Sequence, residues 1–318
     1  RWRSLKMLNS NTEALRQAVH KASAEHADIL ISPELALSGY PPKDLLDNPN
    51  FIRDLFDIQG VLARESGSMP WILGGIASDR TDPMQPSDTI YNAALVLQNG
   101  KVQTAHRKIL LPDYDVFDES RYFSSGKNPT IFASGHEKIG ITICEDIWND
   151  KSHWSTKSYD KDPVKECVSA GATILVNLSS SPFGRHKQNT RQDMLSSIAT
   201  QHKIPIVYVN QVGGNDGLIF DGRSMLYSPA GEQLYSAPAF EAGLYIADTD
   251  AESSSSHFSN DWNEHRDVRE ALILGIRDYV RKCGFTKVVI GLSGGIDSTI
   301  TAALAAEAVG AENVIGIG

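Results

Sequence analysis

The run over residues 138–143, which ends at Cys144, most constrains how this chain folds. Its β-branched residues alternate along the run, which is the pattern of a pleated, half-buried strand. The acidic pair Glu145 and Asp146 follows the cysteine directly. Chemistry in α/β sheets is commonly held where strands end. Because a cysteine after an apolar strand is by itself more often an inert core residue, other residues have to support a functional role for Cys144.

Helical and strand patterns alternate before and after this run, and Asn99-Gly100 gives the strongest hairpin signal. We predict helices over residues 11–25, 51–65 and 299–309, and around 194–198 and 268–280. We predict strands over residues 28–32, 71–76, 91–98, 101–106, 138–143, 172–178, 205–212, 218–220, 224–227, 287–292 (buried) and 313–317, with a tight turn at 213–217. Strand–helix alternation followed by hairpins predicts a mixed-sheet α/β sandwich.

Composition excludes several classes of function. The chain has 318 residues, 22% of them charged, and a net charge of −9. That charge argues against nucleic acid and against an anionic membrane as the main partner, and no apolar run is long enough to span a bilayer. Cys144, Cys167 and Cys283 have neither disulfide-framework nor zinc-finger spacing. We therefore expect a protein of a reducing, cytoplasmic compartment.

Glu34, Lys108 and Cys144 form a candidate catalytic set. A thiol nucleophile needs a group that takes its proton and a cation that stabilises developing negative charge. Glu34, just past a predicted strand, suits the first role. Lys108 suits the second, together with the backbone N–H of Glu145. Each residue alone also has a non-catalytic interpretation: Glu34 as a solvated carboxylate in a loop, and Lys108 as a charge on the protein surface.

A second candidate site is the glycine-rich string over residues 291–298, which lies between a predicted strand and a predicted helix. Glycines let backbone N–H groups approach phosphate oxygens, and the helix dipole that follows favours an anion. The string is not a Walker A loop, because no lysine follows the last glycine at the required place. A short glycine loop alone is as typical of a structural turn.

Three motifs resemble the signatures of the nitrilase (carbon–nitrogen hydrolase) superfamily: Pro33-Glu34, Arg107-Lys108 with Leu111-Pro112, and residues 143–146. More narrowly, residues 111–119, 181–187 and 209–214 resemble the glutaminase domain of the glutamine-dependent NAD⁺ synthetases. The resemblance implies a nitrilase-like αββα four-layer sandwich. It also implies catalytic roles for Glu34, Lys108 and Cys144, auxiliary catalytic roles for Glu119 and Glu145, and glutamine binding by Tyr114, Ser181 and Lys187.

The glycine-rich string resembles the pyrophosphate loop (PP-loop) of ATP pyrophosphatases, which have a doubly wound parallel α/β fold. The resemblance implies ATP binding by Gly291, Leu292, Ser293, Gly294, Gly295, Ile296, Asp297 and Ser298, with Asp297 also binding Mg²⁺. We expect the rest of the ATP site and the site for deamido-NAD⁺ to lie beyond Gly318.

The stretch from Asp250 to Asn260 is polar and contains four consecutive serines, which is typical of a linker. With the two resemblances, it divides the chain into a glutaminase domain over residues 1–249, a linker over 250–263 and the start of a synthetase domain over 264–318. Residues 1–11 depart from the family pattern because they lack the expected strand with an Ala-Gln pair. His186 stands where the family commonly has glycine.

The function implied is hydrolysis of L-glutamine by a Cys-Glu-Lys mechanism, which supplies ammonia for ATP-dependent amidation of deamido-NAD⁺ through an adenylated intermediate. We expect no nucleic-acid or membrane partner and a homo-oligomer formed through the nitrilase-like domain. Two alternatives are a stand-alone nitrilase-type amidase acting on another small amide and a non-catalytic binding protein. The phosphate loop argues against the first, and the intact catalytic set argues against the second.

Overall fold

The computed structural model describes residues 2–149, 159–250 and 263–318, with the backbone alone for residues 2–6. The helices are α1 (Trp2–Ala24), α2 (Pro49–Glu65), α3 (Pro163–Ser169), α4 (Lys187–His202), α5 (Glu264–Lys282) and α6 (Ile296–Val309). The strands are β1 (Leu30–Ile31), β2 (Trp71–Ser78), β3 (Ile90–Gln98), β4 (Lys101–Arg107), β5 (Thr130–Ser134), β6 (Glu137–Ile143), β7 (Ile174–Ser179), β8 (Ile206–Asn210), β9 (Val212–Asn215), β10 (Leu218–Asp221), β11 (Met225–Tyr227), β12 (Gln233–Ser236), β13 (Val288–Gly291) and β14 (Val314–Ile317).

Two mixed sheets form the centre of the fold. One has the order β1-β2-β3-β4 and the other the order β12-β11-β8-β7-β6-β5. Their facing sides share a core that includes Ile72 and Val96 from the first sheet and Ile141 and Val176 from the second. Because neighbouring strand residues face opposite sides of a sheet, each sheet also presents apolar residues outward.

Helices cover both outward faces. Buried residues of α2, such as Leu55 and Phe56, pack with Leu73 and Leu95 of the first sheet, and α1 joins the same core. On the other side, residues of α3 and α4 pack with Leu175, Ile206 and Tyr208. The layers therefore run helix, sheet, sheet, helix, which is the predicted αββα sandwich. Among the described helices, none combines the length and apolarity needed to cross a membrane.

The hairpin predicted at Asn99-Gly100 is present between β3 and β4. Both turn residues have positive φ, 53° for Asn99 and 78° for Gly100, which matches the right-handed twist of the flanking strands. The two turn residues, Asn99 and Gly100, are therefore sufficient to predict this hairpin from the sequence. Its strand β4 ends at Arg107, so the hairpin delivers Lys108 to the end of the first sheet.

Three expectations from the sequence were wrong. Residues 213–215 belong to β9, which pairs with β10, and only Asp216 and Gly217 form the turn. The helix predicted from residue 11 begins at Trp2; no strand precedes β1 in the described residues. The strand predicted as buried over 287–292 is partly exposed, with 61% of Val289 accessible to solvent. Among the described strands, β13 pairs with β14 alone.

Helix α5 packs on the β9–β10 hairpin, and two glycines make the close approach possible. The amide N–H of Gly214 donates to Asp278 Oδ2 (2.7 Å), and Lys282 Nζ donates to the Gly214 carbonyl oxygen (2.6 Å). Gly275 faces Ile219 of the hairpin. Arg223 Nη2 also donates to Asp267 Oδ2 (2.7 Å). The segment after residue 263 is thus held on the sandwich. Most of the predicted linker, residues 251–262, lies outside the described residues.

Gly214→Ala should loosen α5. A Cβ at this position would lie 3.2 Å from Gly275 Cα and 3.4 Å from Asp278 Cβ, so helix and hairpin must separate slightly. We expect a loss of about 1–3 kcal/mol in the stability of this contact, measured as faster hydrogen exchange across residues 264–282. Gly217→Ala is the matched control, since a Cβ there meets nothing within 4 Å. Equal exchange in the two variants would contradict glycine-dependent packing.

Candidate active site

The nucleophile candidate lies on a sharp turn at the end of β6. Ile143 is extended, whereas Cys144 has a φ of 41° and opens a short 3₁₀ turn, Cys144–Ile147. Positive φ is uncommon for residues other than glycine, and where the surroundings enforce it the residue is often functional. The turn directs Cys144 away from the strand while leaving it only 6% exposed. The predicted strand and its terminal cysteine are therefore both present.

Asp146 fixes this turn. Its Oδ1 accepts hydrogen bonds from the backbone N–H groups of Ile109 (3.1 Å) and Leu110 (2.8 Å), and its Oδ2 accepts from the N–H of Ile143 (3.0 Å). His106 Nε2 lies 3.3 Å from Oδ2. The fully buried carboxylate thus joins the cysteine turn to the segment that follows Lys108. The sequence motif contains Asp146, but the motif alone does not indicate this role.

Lys108 is completely buried between two carboxylates. Its Nζ donates to Glu34 Oε1 (2.8 Å) and to Glu119 Oε1 (2.7 Å), and its backbone N–H donates to the Asn92 carbonyl oxygen (2.8 Å). Tyr40 OH donates to the same oxygen of Glu119 (2.7 Å). The structure therefore brings Glu34 and Lys108 of the candidate catalytic set together with Glu119, whose place near the lysine the family resemblance implies. The role of a solvated surface lysine is excluded for Lys108.

Glu34 is 1% exposed and is held by three donors. Lys108 Nζ and Asn92 Nδ2 (2.7 Å) donate to Oε1, and the backbone N–H of Ser180 donates to Oε2 (2.9 Å). The loop that carries Glu34 lies directly on Gly74 of β2, where any side chain would collide with the Pro33 carbonyl oxygen. Asn92 has no recognisable signal in the sequence, whereas Ser180 belongs to a run of hydroxyl residues at a strand end, which is typical of a turn or of short-range hydrogen bonds to a substrate.

The charges of this cluster shift several pKa values. Burial alone would lower the pKa of Lys108, but the carboxylates of Glu119 and Glu34 raise it well above its usual value. Burial raises the pKa of Glu119 to about 7, against the opposing effect of Lys108. Burial and then the negative charge of Glu34 raise the pKa of the Cys144 thiol, while Lys108 lowers it. Cys144 is therefore a thiol at neutral pH and needs a base to become a nucleophile.

Two of the three predicted glutamine-binding residues, Tyr114 and Lys187, interact electrostatically with Cys144. Tyr114 is 52% exposed, and its hydroxyl donates to Glu145 Oε2 (2.9 Å). Lys187 Nζ lies 5.7 Å from the ring centroid of Trp148. Burial and then the charge of Arg191 lower the pKa of Lys187, whereas a Cys144 thiolate would raise it. A thiolate at Cys144 would also raise the pKa of Tyr114, so both residues lie within electrostatic reach of the nucleophile.

Ser181, the third predicted glutamine-binding residue, is held through its backbone. Ser181 is buried, and its backbone N–H donates to Asn210 Oδ1 (2.9 Å). One helical turn after Lys187, the fully buried Arg191 donates through Nη2 to both carboxylate oxygens of Asp221, each at 2.8 Å. The pair Arg191–Asp221 was missed in the sequence, where both residues look like ordinary charged positions.

The predicted phosphate loop belongs to the segment after the sandwich. It runs from the end of β13 to the first turn of α6, and Gly294 has a φ of 79°. The hydroxyls of Ser293 and Ser298 lie 3.2 Å apart, and the loop is exposed. Asp297 lies in the first turn of α6. The arrangement suits an anion at a helix N-terminus, and it is not part of the Cys144 cluster.

Comparison with known proteins assigns both segments. Residues 6–256 match the family described as carbon-nitrogen hydrolase. The chain belongs to this family. Residues 268–318 match the family described as NAD synthase, so the resemblance drawn from the motifs is confirmed.

Individual relatives agree with this assignment. The chain is 40% identical over 312 residues to the glutamine-dependent NAD(+) synthetase of Synechocystis sp., covering 96% of this chain and 56% of that protein. Its structure resembles that of a glutamine-dependent NAD⁺ synthetase from Acinetobacter baumannii in complex with ADP, with a TM-score of 0.83 and 35% identity, over 97% of this chain and 56% of that one. The chain thus spans a little over half the length of these relatives.

A more distant likeness concerns the fold alone. An amidase of the nitrilase superfamily from Nesterenkonia has a TM-score of 0.61 at 19% identity, and the match covers 73% of this chain and 81% of that one. The nitrilase-like sandwich predicted from the motifs is therefore confirmed.

Glu119→Gln should change how stability depends on pH. The folded-state pKa of Glu119 is about 7, above its usual value of 4.5, so the folded protein holds this proton longer than the unfolded chain. The proton bound to Glu119 therefore stabilises the folded state. This contribution is fully present below pH 4.5 and is lost as the pH rises through about 7. At about 1.4 kcal/mol per pKa unit, it amounts to about 3 kcal/mol.

Urea unfolding between pH 4 and 8 measures this effect. The wild-type free energy of unfolding should fall across the window relative to that of Glu119→Gln. Glu232→Gln, at an exposed position, should follow the wild type. Parallel curves for the wild type and Glu119→Gln would show that the pKa of Glu119 is the same in the folded and unfolded states.

Proposed function

We propose that this chain contains the glutamine-hydrolysing domain and the beginning of the ammonia-using domain of a glutamine-dependent NAD⁺ synthetase. The observation that carries the proposal is the Cys144 thiol on its strained turn beside the buried Lys108–Glu34–Glu119 cluster, in a chain that continues into an NAD synthase match. A simple amidase needs no such continuation.

Glu34 acts as the base for both halves of the reaction. The Cys144 sulfur attacks the side-chain amide carbon of glutamine, and the thiol proton passes to Glu34. The tetrahedral intermediate collapses, and ammonia leaves with a proton returned by Glu34. A γ-glutamyl thioester remains. Water, which loses a proton to Glu34, then attacks the thioester and releases glutamate and the free thiol.

Lys108 supplies the positive charge that the tetrahedral oxyanion requires, together with the backbone N–H of Glu145. The raised pKa of Lys108 keeps it protonated throughout the cycle. Its two carboxylate partners, Glu34 and Glu119, hold it before substrate arrives, so little reorganisation is needed during the reaction. Glu119 serves as an auxiliary residue that positions Lys108 rather than as a second base.

Substrate binding is assigned to Tyr114, Ser181 and Lys187. Lys187 is cationic, half-buried and near Cys144, which fits it to the α-carboxylate of glutamine. Tyr114 and Ser181 would contribute a phenol and a hydroxyl, groups that both donate and accept hydrogen bonds. The three residues would select a substrate with a carboxylate at a fixed distance from its amide.

The later steps involve the segment after residue 263. Ammonia would pass through the interior to deamido-NAD⁺ that ATP has adenylated. The exposed loop over residues 291–298 offers N–H groups to phosphate, and a single carboxylate such as Asp297 suits Mg²⁺, which usually binds proteins through one or two carboxylates plus substrate phosphates. We also propose a cytoplasmic homo-oligomer formed through the sandwich domain.

Cys144→Ala should abolish glutamine hydrolysis, lowering kcat by about a thousandfold or more while costing only about 1–2 kcal/mol of stability. The assay is glutamate release from glutamine, with and without ATP. Cys167→Ala is the matched control, since Cys167 is also buried, lies on α3 and has its pKa raised to about 12 mainly by burial. It should retain activity.

Glutamate release at the wild-type rate by Cys144→Ala would refute the proposal. Hydrolysis of other short amides in preference to glutamine would instead support the stand-alone amidase. Absence of turnover of any amide by the wild type would indicate a non-catalytic binding protein.

A further inference from the structure

The side chain of Glu145, the residue after the nucleophile, is held by two phenols. Tyr114 OH donates to its Oε2 (2.9 Å), and Tyr159 OH donates to its Oε1 (3.2 Å). Glu145 is 6% exposed. Tyr159 has no counterpart in the motifs and lies in a stretch without a recognisable pattern. A carboxylate with one donor on each oxygen is fixed in rotation as well as in position.

Tyr159 is itself fixed by Asn149. Asn149 Nδ2 donates to the carbonyl oxygens of Tyr159 (3.0 Å) and Lys161 (2.6 Å), and Asn149 Oδ1 accepts from the backbone N–H of Tyr159 (3.4 Å). The Tyr159 hydroxyl also lies 3.3 Å from the Leu111 carbonyl oxygen. Its single proton favours the charged acceptor, since hydrogen bonds to ionised groups are the stronger ones. The phenol is therefore already aimed at Glu145 without substrate.

Glu145 has no cationic ion-pair partner among the described residues. Across the described parts of the chain, no lysine, arginine or histidine side chain forms an ion pair with it. Lys108 is engaged with Glu34 and Glu119 instead. Two neutral phenols orient a carboxylate without neutralising it. A buried carboxylate in this state favours the binding of a cation.

The substrate of the proposed reaction brings such a cation. Glutamine carries an α-ammonium and an α-carboxylate at the end opposite its amide. With the amide at Cys144, Lys187 offers a positive charge for the carboxylate and Glu145 a negative charge for the ammonium.

We propose that Tyr159 is a positioning residue that, together with Tyr114, holds the Glu145 carboxylate in the orientation that binds the α-ammonium group of the substrate. The inference rests on the proposed glutamine hydrolysis and adds a determinant of its specificity. It predicts that loss of the Tyr159 hydroxyl weakens binding only of amides that carry an ammonium group.

Tyr159→Phe tests this with two substrates, L-glutamine and glutaric acid monoamide, which has the same chain and carboxylate but no amino group. We expect KM for glutamine to rise about tenfold, the effect of one lost hydrogen bond to a charged group, with kcat within about twofold. KM for the monoamide should not change. Tyr122→Phe is the matched control, because Tyr122 OH donates to the Asp44 carboxylate (3.0 Å) and should alter neither substrate.

A second comparison tests whether Tyr159 acts through Glu145. In a Glu145→Gln background, adding Tyr159→Phe should change KM for glutamine by less than twofold, because residues that act as a unit are not additive. An additive effect would overturn the inference, as would an equal loss on both substrates, which indicates a structural role. An unchanged KM in Tyr159→Phe would also overturn it while leaving glutamine hydrolysis standing. A wild type that hydrolyses the monoamide but not glutamine would overturn both proposals.

Discussion

The buried ammonium of Lys108 is the interaction on which the site depends. It lies between Glu34 and Glu119 with no exposed surface. Removing one partner from a buried ion pair typically costs about 3–5 kcal/mol, because an unpaired charge is left behind. Asn92 donates to both carboxylates, Ser180 to Glu34 and Tyr40 to Glu119. The contacts that offset the cost of burying these charges therefore also fix the base, Glu34, and the cation, Lys108, beside Cys144.

The sandwich makes this cluster possible because its two sheets end at the same place. Lys108 follows a strand of the first sheet and Cys144 follows a strand of the second. Asp146 connects them, accepting N–H groups from Ile109, Leu110 and Ile143 with one buried carboxylate. A displacement between the sheets would break these bonds together. The spacing of sulfur, base and cation is thus set by the rigid core and not by a mobile loop.

Sequence patterns predicted much of this arrangement where the information is local. The Asn99-Gly100 turn, the strand into Cys144 and the motif residues Glu34 and Lys108 could all be identified. Non-local determinants could not be identified. The edge strands β5 and β12 are short, and residues 213–215, whose glycines suggest a turn, pair with β10 as strand β9. Asn92 and Tyr159 act through contacts with distant residues, which leave no pattern along the chain.

Capture of the covalent intermediate by hydroxylamine tests the central claim most directly, namely that Cys144 forms a thioester with the glutamyl group. A thioester reacts readily with hydroxylamine, so γ-glutamyl hydroxamate should appear at the expense of glutamate in the wild type and be absent in Cys144→Ala. If glutamate remains the only product at saturating hydroxylamine, water attacks the amide directly and the nucleophilic role of Cys144 is wrong.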